Sequence, residues 1–163
     1  MILNEQVRFD DADATVKRAF IRRPERVCLR PPDRLYKWTD RTLITDGRIS
    51  PWWSFVNTRR LPSGALADGF RVSEERARRL GRTHREFARA RAAVSAQFNN
   101  AMTDLLLVEL TQPVWAFAGA ASGQREFSQK EIELQHVYFI GGAHQVWVPN
   151  LTARHLRQIA TLA

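Results

Sequence analysis

The sequence predicts an α+β fold in a single domain, with a sheet of mixed or antiparallel strands and one long helix. The length of 163 residues suits one domain with one hydrophobic core. Segments rich in strand-forming residues come in groups and do not alternate with helical segments, so a doubly wound parallel sheet is not expected. Strong helical periodicity occurs once, in the middle of the chain, over residues 72–102.

The first 33 residues are predicted to form an arm or linker that packs on a domain spanning residues 34–163. A short helix is expected within FDDADATVKRAFI, residues 9–21, because its acidic residues precede its basic ones, the order that the helix dipole favours. The next segment, RRPERVCLRPPD, contains three prolines, which interrupt regular structure.

Two short strands and a loop are predicted next. RLYKW at residues 34–38 and WWSFV at residues 52–56 are rich in residues that favour strands. NTRRLPSGALADG, residues 57–69, contains one proline and two glycines and is predicted to be a loop. Loops of this length in a small domain are often functional.

The long helix is predicted to begin at Ser73, whose hydroxyl can cap the first turn ahead of two glutamates. Residues spaced by three or four form a stripe that reads Ala, Leu, His, Phe, Arg, Val and Phe at positions 77, 80, 84, 87, 91, 94 and 98. His84 and Arg91 interrupt this apolar stripe. The other face of the helix carries Arg78, Arg82, Arg85 and Arg89.

The last third of the chain is predicted to be mostly strand. LLLVEL (105–110) and VWAFAG (114–119) have the composition of buried strands. QHVYFI (135–140) and HQVWVP (144–149) alternate in polarity and are joined by a short glycine-rich connector, which predicts a hairpin. LTARHLRQIATL (151–162) is predicted to be a short amphipathic helix capped by Thr152.

Composition excludes several classes of protein. The single cysteine, Cys28, rules out an internal disulfide, and the four histidines lack the spacing of metal ligands, so no metal site is predicted. The chain has no apolar run of the length of a membrane span, and its start does not resemble a signal peptide. The expected site of action is cytoplasmic, with no membrane partner, and export by a route that reads no N-terminal signal stays possible.

The net charge of +8 is concentrated in residues 71–91, which hold eight arginines and three glutamates. This segment suits binding to phosphates or to an acidic partner, and it equally suits a solvated helix face. Arg91 differs because it lies on the apolar stripe, where a charge needs a partner. That partner is either Glu109 inside the fold or an anionic group of a ligand.

Aromatic and carboxylate residues provide the candidate chemistry. Tyr36, Trp38, Trp52 and Trp53 could stack a nicotinamide, an adenine or a nucleic-acid base, or they could pack in the core. Neighbouring residues on a strand face opposite sides, so Trp52 and Trp53 cannot both line one pocket of a regular strand, and Ser54 shares a face with Trp52. Glu131 and Glu133 share a strand face as a possible carboxylate pair, or lie on an exposed edge. Gln145 could bind a ribose hydroxyl but cannot act as a base.

In this order, the motifs resemble those of the ADP-ribosyltransferase superfamily, whose members are split β-sandwiches of the α+β class that bind NAD in a cleft between two sheets, and the resemblance implies this fold for residues 34–163. RLYKW stands at the place of the first motif, with Lys37 where arginine or histidine is usual and Arg34 nearby. SPWWSF resembles the second motif, with Ser54 as its serine. The third motif is a glutamate on a late strand, and it resembles either HQVWVPNL, with Gln145 in that position, or EIEL, with Glu131 and Glu133.

The resemblance implies an enzyme that cleaves the nicotinamide glycosidic bond of NAD and transfers ADP-ribose to a macromolecular acceptor, as bacterial toxins and effectors of this superfamily do. A toxin would also have a cognate inhibitor protein. With Gln145 in the third motif, NAD binding or weak cleavage could remain without transfer. The implied catalytic residues are Gln145, Glu133 and Glu131, and the implied NAD-binding residues are Arg34, Tyr36, Lys37, Trp52, Trp53, Ser54 and Arg91.

Two other hypotheses belong to different classes. The first is a non-enzymatic nucleic-acid-binding domain that uses the basic helix and exposed aromatic side chains. The second is a protein-interaction module, or a catalytically inactive adaptor with an NAD-binding fold.

Overall fold

The structure is a computed structural model that describes residues 1–39, 49–91, 103–122 and 143–162. These residues form three α-helices, which are α1 (Ala14–Arg18), α2 (Phe70–Arg79) and α3 (His84–Arg91). The strands in the same residues are β1 (Glu25–Leu29), β2 (Arg34–Thr39), β3 (Trp52–Phe55), β4 (Arg59–Arg60), β5 (Leu66–Ala67), β6 (Asp104–Leu110), β7 (Val114–Ala120), β8 (His144–Trp147) and β9 (Leu156–Leu162). Short 3-10 helices occupy Phe9–Asp11 and Ala153–His155.

Seven of the described strands form one sheet in the order β1-β7-β8-β3-β2-β6-β9, and each neighbouring pair is antiparallel. The predicted α+β class and antiparallel pairing are therefore confirmed. The strands predicted in residues 34–38, 52–56, 105–110, 114–119 and 144–149 are present as β2, β3, β6, β7 and β8. The other half of the predicted hairpin, residues 135–140, lies outside the described residues.

Strand β3 joins two halves of the sheet. Trp52 and Trp53 pair with Trp147 and Val146 of β8, whereas Ser54 and Phe55 pair with β2. Strand β8 thus pairs with the first two residues of β3, and β2 pairs with the last two, because β3 is only four residues long. The ladders on the two sides of β3 are consequently offset, and the sheet is continuous only through this short strand.

Both halves of the sheet face one hydrophobic core. The cluster combines residues of β1, β7 and β8 with residues of β3, β2 and β6, so the sheet bends around a shared interior. Burying this much apolar surface is the main force that holds the two halves together. The largest side chains that are fully buried are Trp53, Leu29, Leu35, Leu110, Val114, Val146 and Val148.

Residues 1–33, predicted to be an arm, contribute directly to the sheet and to its outer face. Strand β1 pairs with β7 over five residues, and the predicted short helix is present as α1. Phe9 and Phe20 from this segment pack against each other, with ring centroids 5.8 Å apart. They form a second apolar cluster with Val16, Phe117 and Trp147 on the side of β7 and β8 that faces away from the main core.

The prediction of one long helix is wrong over the described residues, because two helices form. Helix α2 ends in a Schellman motif: Gly81, with φ +67°, donates to the carbonyl of Arg78, and Arg82 donates to that of Ala77. Helix α3 then begins with a capping box, in which the backbone N–H groups of Thr83 and Glu86 donate reciprocally to the two side chains. The rest of the predicted helix, residues 92–102, lies outside the described residues.

Ser73 is not the cap of the helix. Helix α2 begins one turn earlier with Gly69 as its N-cap, and Ser73 is a buried residue inside it. The predicted loop at residues 57–69 contains the β4–β5 hairpin. Gly69, at the end of this loop, packs closely against the backbone of Thr58. A β-carbon at position 69 would lie 2.4 Å from the nitrogen of Thr58.

The predicted C-terminal helix is also wrong, because residues 156–162 form strand β9. This strand pairs with β6 along its length, with a register shift between Leu107 and Val108. Thr152 does act as a cap, but only of the short 3-10 helix, through reciprocal hydrogen bonds with His155. Pairing with a buried neighbouring strand outweighs the helical periodicity of this short segment.

Candidate functional site

The strands that carry the first motif, the second motif and HQVWVPNL, one of the two candidates for the third, are consecutive neighbours in the sheet, in the order β2-β3-β8. Tyr36 of β2 lies directly opposite Ser54 of β3. Side chains alternate along a strand, and the neighbours of Ser54, Trp53 and Phe55, point into the core. Ser54 and Tyr36 therefore share the outer face of the sheet.

Gln145 of β8 lies on the same outer face, because the next residue, Val146, points into the core and Trp147 belongs to the outer cluster. Its amide nitrogen donates to the carbonyl of Ala19 at a distance of 2.8 Å, and the residue is buried. Gln145 therefore attaches the end of helix α1 to the sheet. Glu131 and Glu133, the alternative candidates for the third motif, lie outside the described residues.

Tyr36 lies under helices α2 and α3. Its ring meets that of Phe70 edge-on, with centroids 5.1 Å apart, and its hydroxyl oxygen is 3.4 Å from Nε2 of His84. Burial raises the pKa of Tyr36 to about 12, while hydrogen bonds with the Ser73 and Ser54 side chains oppose that rise. The hydroxyl thus stays protonated at neutral pH.

His84 links two residues of β2. The indole N–H of Trp38 donates to Nδ1 of His84 at 2.9 Å, so the ring proton of the neutral imidazole belongs on Nε2, facing Tyr36. The ring of His84 also packs on Phe70, with centroids 4.3 Å apart. Burial lowers the pKa of His84 to about 4, so the imidazole is neutral at pH 7.

Lys37 lies on the opposite, core-facing side of β2. Its ammonium is 3.9 Å from the ring centroid of Trp53, and it donates to the carbonyl oxygen of Ser50 at 2.5 Å and to the Ser50 hydroxyl at 3.2 Å. Burial lowers the pKa of Lys37 well below its ordinary value of 10.5, although the residue as a whole is only half-buried. In the described part of the chain, Nε1 of Trp53 has no hydrogen-bond partner.

Trp52 and Trp53 point to opposite faces, as strand alternation predicts. Trp53 is 2% exposed and belongs to the main core, whereas Trp52 is half-buried and packs on Phe20 of the N-terminal segment at 5.6 Å. Ser54 is also half-buried and shares the face of Trp52. Trp52, and not Trp53, is therefore the tryptophan that can line a site with Ser54.

Arg34 begins β2 on the same face as Tyr36, and its side chain is 49% exposed. Glu109 of β6 accepts hydrogen bonds from Arg34 at 3.2 Å and from Arg157 at 2.6 Å. Glu109 is one of the two partners expected for Arg91. Arg91 is the last residue of α3, and its side chain lies outside the described part.

The sequence reasoning did not assign His84, Phe70 or Ser73 to the site. Helix α2 supplies Phe70 and Ser73, and the capping box at Thr83 places His84 in the first turn of α3. One signal was present in the sequence: His84 is a polar residue on an otherwise apolar helical stripe. Such a residue is expected to have a buried hydrogen-bond partner.

The arginine-rich surface, defined as Arg71, Arg78, Arg79, Arg82 and Arg85 of helices α2 and α3 and the turn between them, is exposed. Arg78 and Arg79 form ion pairs with Glu75 of the same helix. Within the described ranges, Arg71, Arg82 and Arg85 have no carboxylate partner. Three of the five guanidinium groups are thus available to an anionic partner.

Among the residues that the structure describes, this arrangement provides hydroxyl groups and cations. In the residues that the structure describes, no group of three or more His, Cys, Asp or Glu side chains could hold a metal ion. None of the helices in the same ranges is long and apolar enough to cross a membrane. Ser54, Tyr36 and Arg34 are the residues of this face that could help to orient the hydroxyl and phosphate groups of a ligand.

Comparison with known proteins adds no family to this description. No protein-family model, no curated protein and no solved structure matches the chain. Functional inference therefore depends on the residues and geometry described above.

Proposed function

We propose that this chain is an ADP-ribosyltransferase-like domain that binds NAD, cleaves its nicotinamide glycosidic bond and transfers ADP-ribose to a macromolecular acceptor. The observation that carries the proposal is the juxtaposition of β2 and β3, which carry the first and second motifs, with Tyr36 opposite Ser54 on one face. HQVWVPNL, one of the two candidates for the third motif, is distant in the sequence and also lies next to β3, as β8.

The residues on this face suit the groups of NAD. Ser54 is half-buried between Tyr36 and Trp52 and would contact the ribose next to the nicotinamide. Tyr36 lies opposite Ser54 and would not contact the ligand itself, since it is 5% exposed. Arg34 is on the same face and exposed enough to contact the pyrophosphate, whereas Lys37 faces Trp53 on the other side.

NAD would supply the scissile bond between nicotinamide and ribose. The protein would contribute electrostatic stabilisation of the positive charge that develops on the ribose in the transition state. Glu133 would act there, because Gln145 is 5% exposed and its amide already donates to the carbonyl of Ala19. A carboxylate also stabilises such a charge far better than an amide does. In this proposal, a bacterial toxin or effector role and a cognate inhibitor protein would follow from the activity.

Release of nicotinamide from NAD tests the proposal. We expect the wild-type chain to release nicotinamide and Glu133→Ala to reduce the rate by about 100-fold or more, by analogy with removal of one stabilising group in other active sites. Gln145→Ala is the variant for comparison. This substitution also removes the hydrogen bond that the Gln145 amide donates to the carbonyl of Ala19. No release by the wild type would refute the cleavage reaction. Unchanged rates in both variants would show that the third motif is misplaced.

A second candidate function, nucleic-acid binding, is favoured by one observation, the three exposed arginines of the arginine-rich surface that lack a carboxylate partner within the described ranges. Phosphate contacts release counterions, so the logarithm of affinity would fall linearly with the logarithm of salt concentration. We expect substitution of Arg82 by Ala to reduce that slope by about 1 for a duplex. Arg157→Ala is the control, since Arg157 is bound to Glu109. Affinity that does not change with salt would exclude this function.

A further inference from the structure

The N-terminal segment and strand β1 border a cavity of about 460 Å³ that is separate from the candidate site. Its lining residues come from residues 5–10, residues 23–26 and Phe117, and none of them belongs to β2, β3 or β8. The volume falls within the range of about 300–1,000 Å³ that is typical of small-molecule sites. This N-terminal cavity does not depend on the function proposed above.

The apolar part of the N-terminal cavity is small. Phe9 and Phe117 line it, with ring centroids 5.9 Å apart, but they are only 8% and 4% exposed. Little ring surface is left on which a nucleobase or another aromatic group could stack. Glu5 and Gln6 also line the cavity, and both are exposed acceptors for hydroxyl groups. A ligand with several hydroxyl groups therefore fits this cavity better than an aromatic ligand does.

Three arginines line the N-terminal cavity, and their charges are balanced to different extents. Arg23 is bound through both terminal nitrogens to the carboxylate of Asp10, at 2.5 and 3.2 Å, so this pair is close to neutral. Within the described residues, neither Arg8 nor Arg26 has a carboxylate partner. Arg8 lies beyond ion-pair distance of Asp10, although, after the hydrogen bond from Arg23, its charge still helps to lower the pKa of that carboxyl group, so Arg26 and, in part, Arg8 retain positive charge for an anion.

Arg26 is held in place before any ligand arrives. Its guanidinium carbon lies 3.8 Å from the ring centroid of Trp115, and one terminal nitrogen donates to the carbonyl of Glu5 at 2.7 Å. A guanidinium fixed in this way loses little conformational freedom on binding, and it keeps further N–H groups for a planar or tetrahedral anion.

We propose that the N-terminal cavity binds a phosphorylated sugar, with the phosphate on Arg8 and Arg26 and the sugar hydroxyls on Glu5 and Gln6. A phosphate monoester carries a charge of about −1.5 to −2 at pH 7, which matches two guanidinium groups better than a carboxylate does. Arginine is also the side chain best suited to bidentate contacts with phosphate oxygens.

Calorimetric titration of the full chain with ribose 5-phosphate tests this proposal, with ribose and inorganic phosphate as separate probes. We expect ribose 5-phosphate to bind at millimolar concentration or below, and at least tenfold more tightly than either part alone. Equal affinity for inorganic phosphate and ribose 5-phosphate would contradict recognition of the sugar. Absence of binding by ribose 5-phosphate would overturn the site altogether.

Variants distinguish this cavity from other basic surfaces. Arg8→Ala removes an exposed side chain without an ion pair in the described ranges, so the fold is retained, and we expect affinity for ribose 5-phosphate to fall about tenfold or more. Arg26→Gln should have a similar effect. Arg22→Ala is the matched control, because Arg22 is exposed and does not line the cavity. Unchanged affinity in Arg8→Ala, or an equal loss in Arg22→Ala, would contradict the proposal. Ser54→Ala should leave this binding unchanged, which separates it from NAD binding.

Discussion

His84 determines how the polar groups beneath helices α2 and α3 are satisfied, since its two ring nitrogens face Trp38 and Tyr36. The indole of Trp38 can only donate, so Nδ1 must accept and Nε2 must carry the proton. An imidazolium would carry a proton on Nδ1 as well, directed at another donor. The network is therefore built for the neutral form of His84, and burial acts in the same direction.

Acid should weaken the fold through His84. Its pKa is about 4 in the folded chain, against 6.5 for a histidine side chain free in water, so the unfolded chain binds more protons between these values. The contribution of neutral His84 to the free energy of unfolding is fully present above pH 6.5 and is lost as the pH falls towards 4. A pKa difference is worth about 1.4 kcal/mol per unit, so the loss is up to about 3 kcal/mol. Urea denaturation at pH 7 and pH 4 measures this loss. His84→Asn should lose much less stability than the wild type over this interval, and an identical loss in both would contradict the assignment.

Some roles of single residues could be predicted from the sequence, and others could not. Strand alternation was enough to separate Trp52 from Trp53 and to place Ser54 with Trp52. The role of His84 could be suspected from its position on an apolar stripe, but its partners could not, because Trp38 and Tyr36 lie 46 and 48 residues away in the chain. Hydrogen bonds over such separations leave no local pattern.

Among the elements, the helices show that a continuous apolar stripe does not guarantee a continuous helix. The stripe at positions 77, 80, 84 and 87 crosses the break between α2 and α3. The break itself was encoded locally, by Gly81 in a left-handed conformation and by Thr83 three residues before Glu86. Strand β9 differs, because its pairing with β6 is a tertiary contact that its own sequence does not specify.

Glycine substitutions at the two ends of helix α2 should differ in cost. Gly69→Ala would place a β-carbon 2.4 Å from the nitrogen of Thr58 and 2.6 Å from the carbonyl carbon of Asn57, and backbone atoms cannot easily move away. We expect a loss of about 2–3 kcal/mol of unfolding free energy. Gly81→Ala is the matched control: its β-carbon meets no atom within 4 Å, so only the left-handed conformation, about 1–2 kcal/mol, opposes it. Chemical denaturation compares the two, and equal losses would contradict the close packing at Gly69.

At the scale of the whole molecule, the described residues form a bent antiparallel sheet with a main core on one face and two covered regions on the outer face. Helices α2 and α3 cover Tyr36 and Trp38, and the N-terminal segment covers Phe117 and Trp147. Ser54 and Trp52 belong to β3, the short strand that joins the halves, and both are half-buried on the outer face. Within the described residues, this half-buried part of the outer face therefore lies at the offset in the sheet.

Most of the strands were predictable from composition, but their order was not. Residues 34–38 and 52–56 lie close together in the sequence and pair as β2 and β3, whereas the position of residues 144–149 beside them as β8 is a long-range pairing that composition does not specify. Similarly, the first 33 residues are polar and contain prolines, and nothing local shows that Glu25–Leu29 would pair with β7. Sheet order depends on which apolar faces can be buried together, which is a property of the whole chain.

The central claim is that Ser54 and its neighbours on β2 form an NAD site, and a thermal-shift titration with NAD tests it most directly. Ligand at 100 times its dissociation constant should stabilise the folded chain by about 2.7 kcal/mol and raise its melting temperature. Ser54→Ala should lose most of this shift. Ser63→Ala, a matched serine on the β4–β5 hairpin, should keep it. No shift of the wild type at millimolar NAD, or the same shift in both variants, would contradict the account.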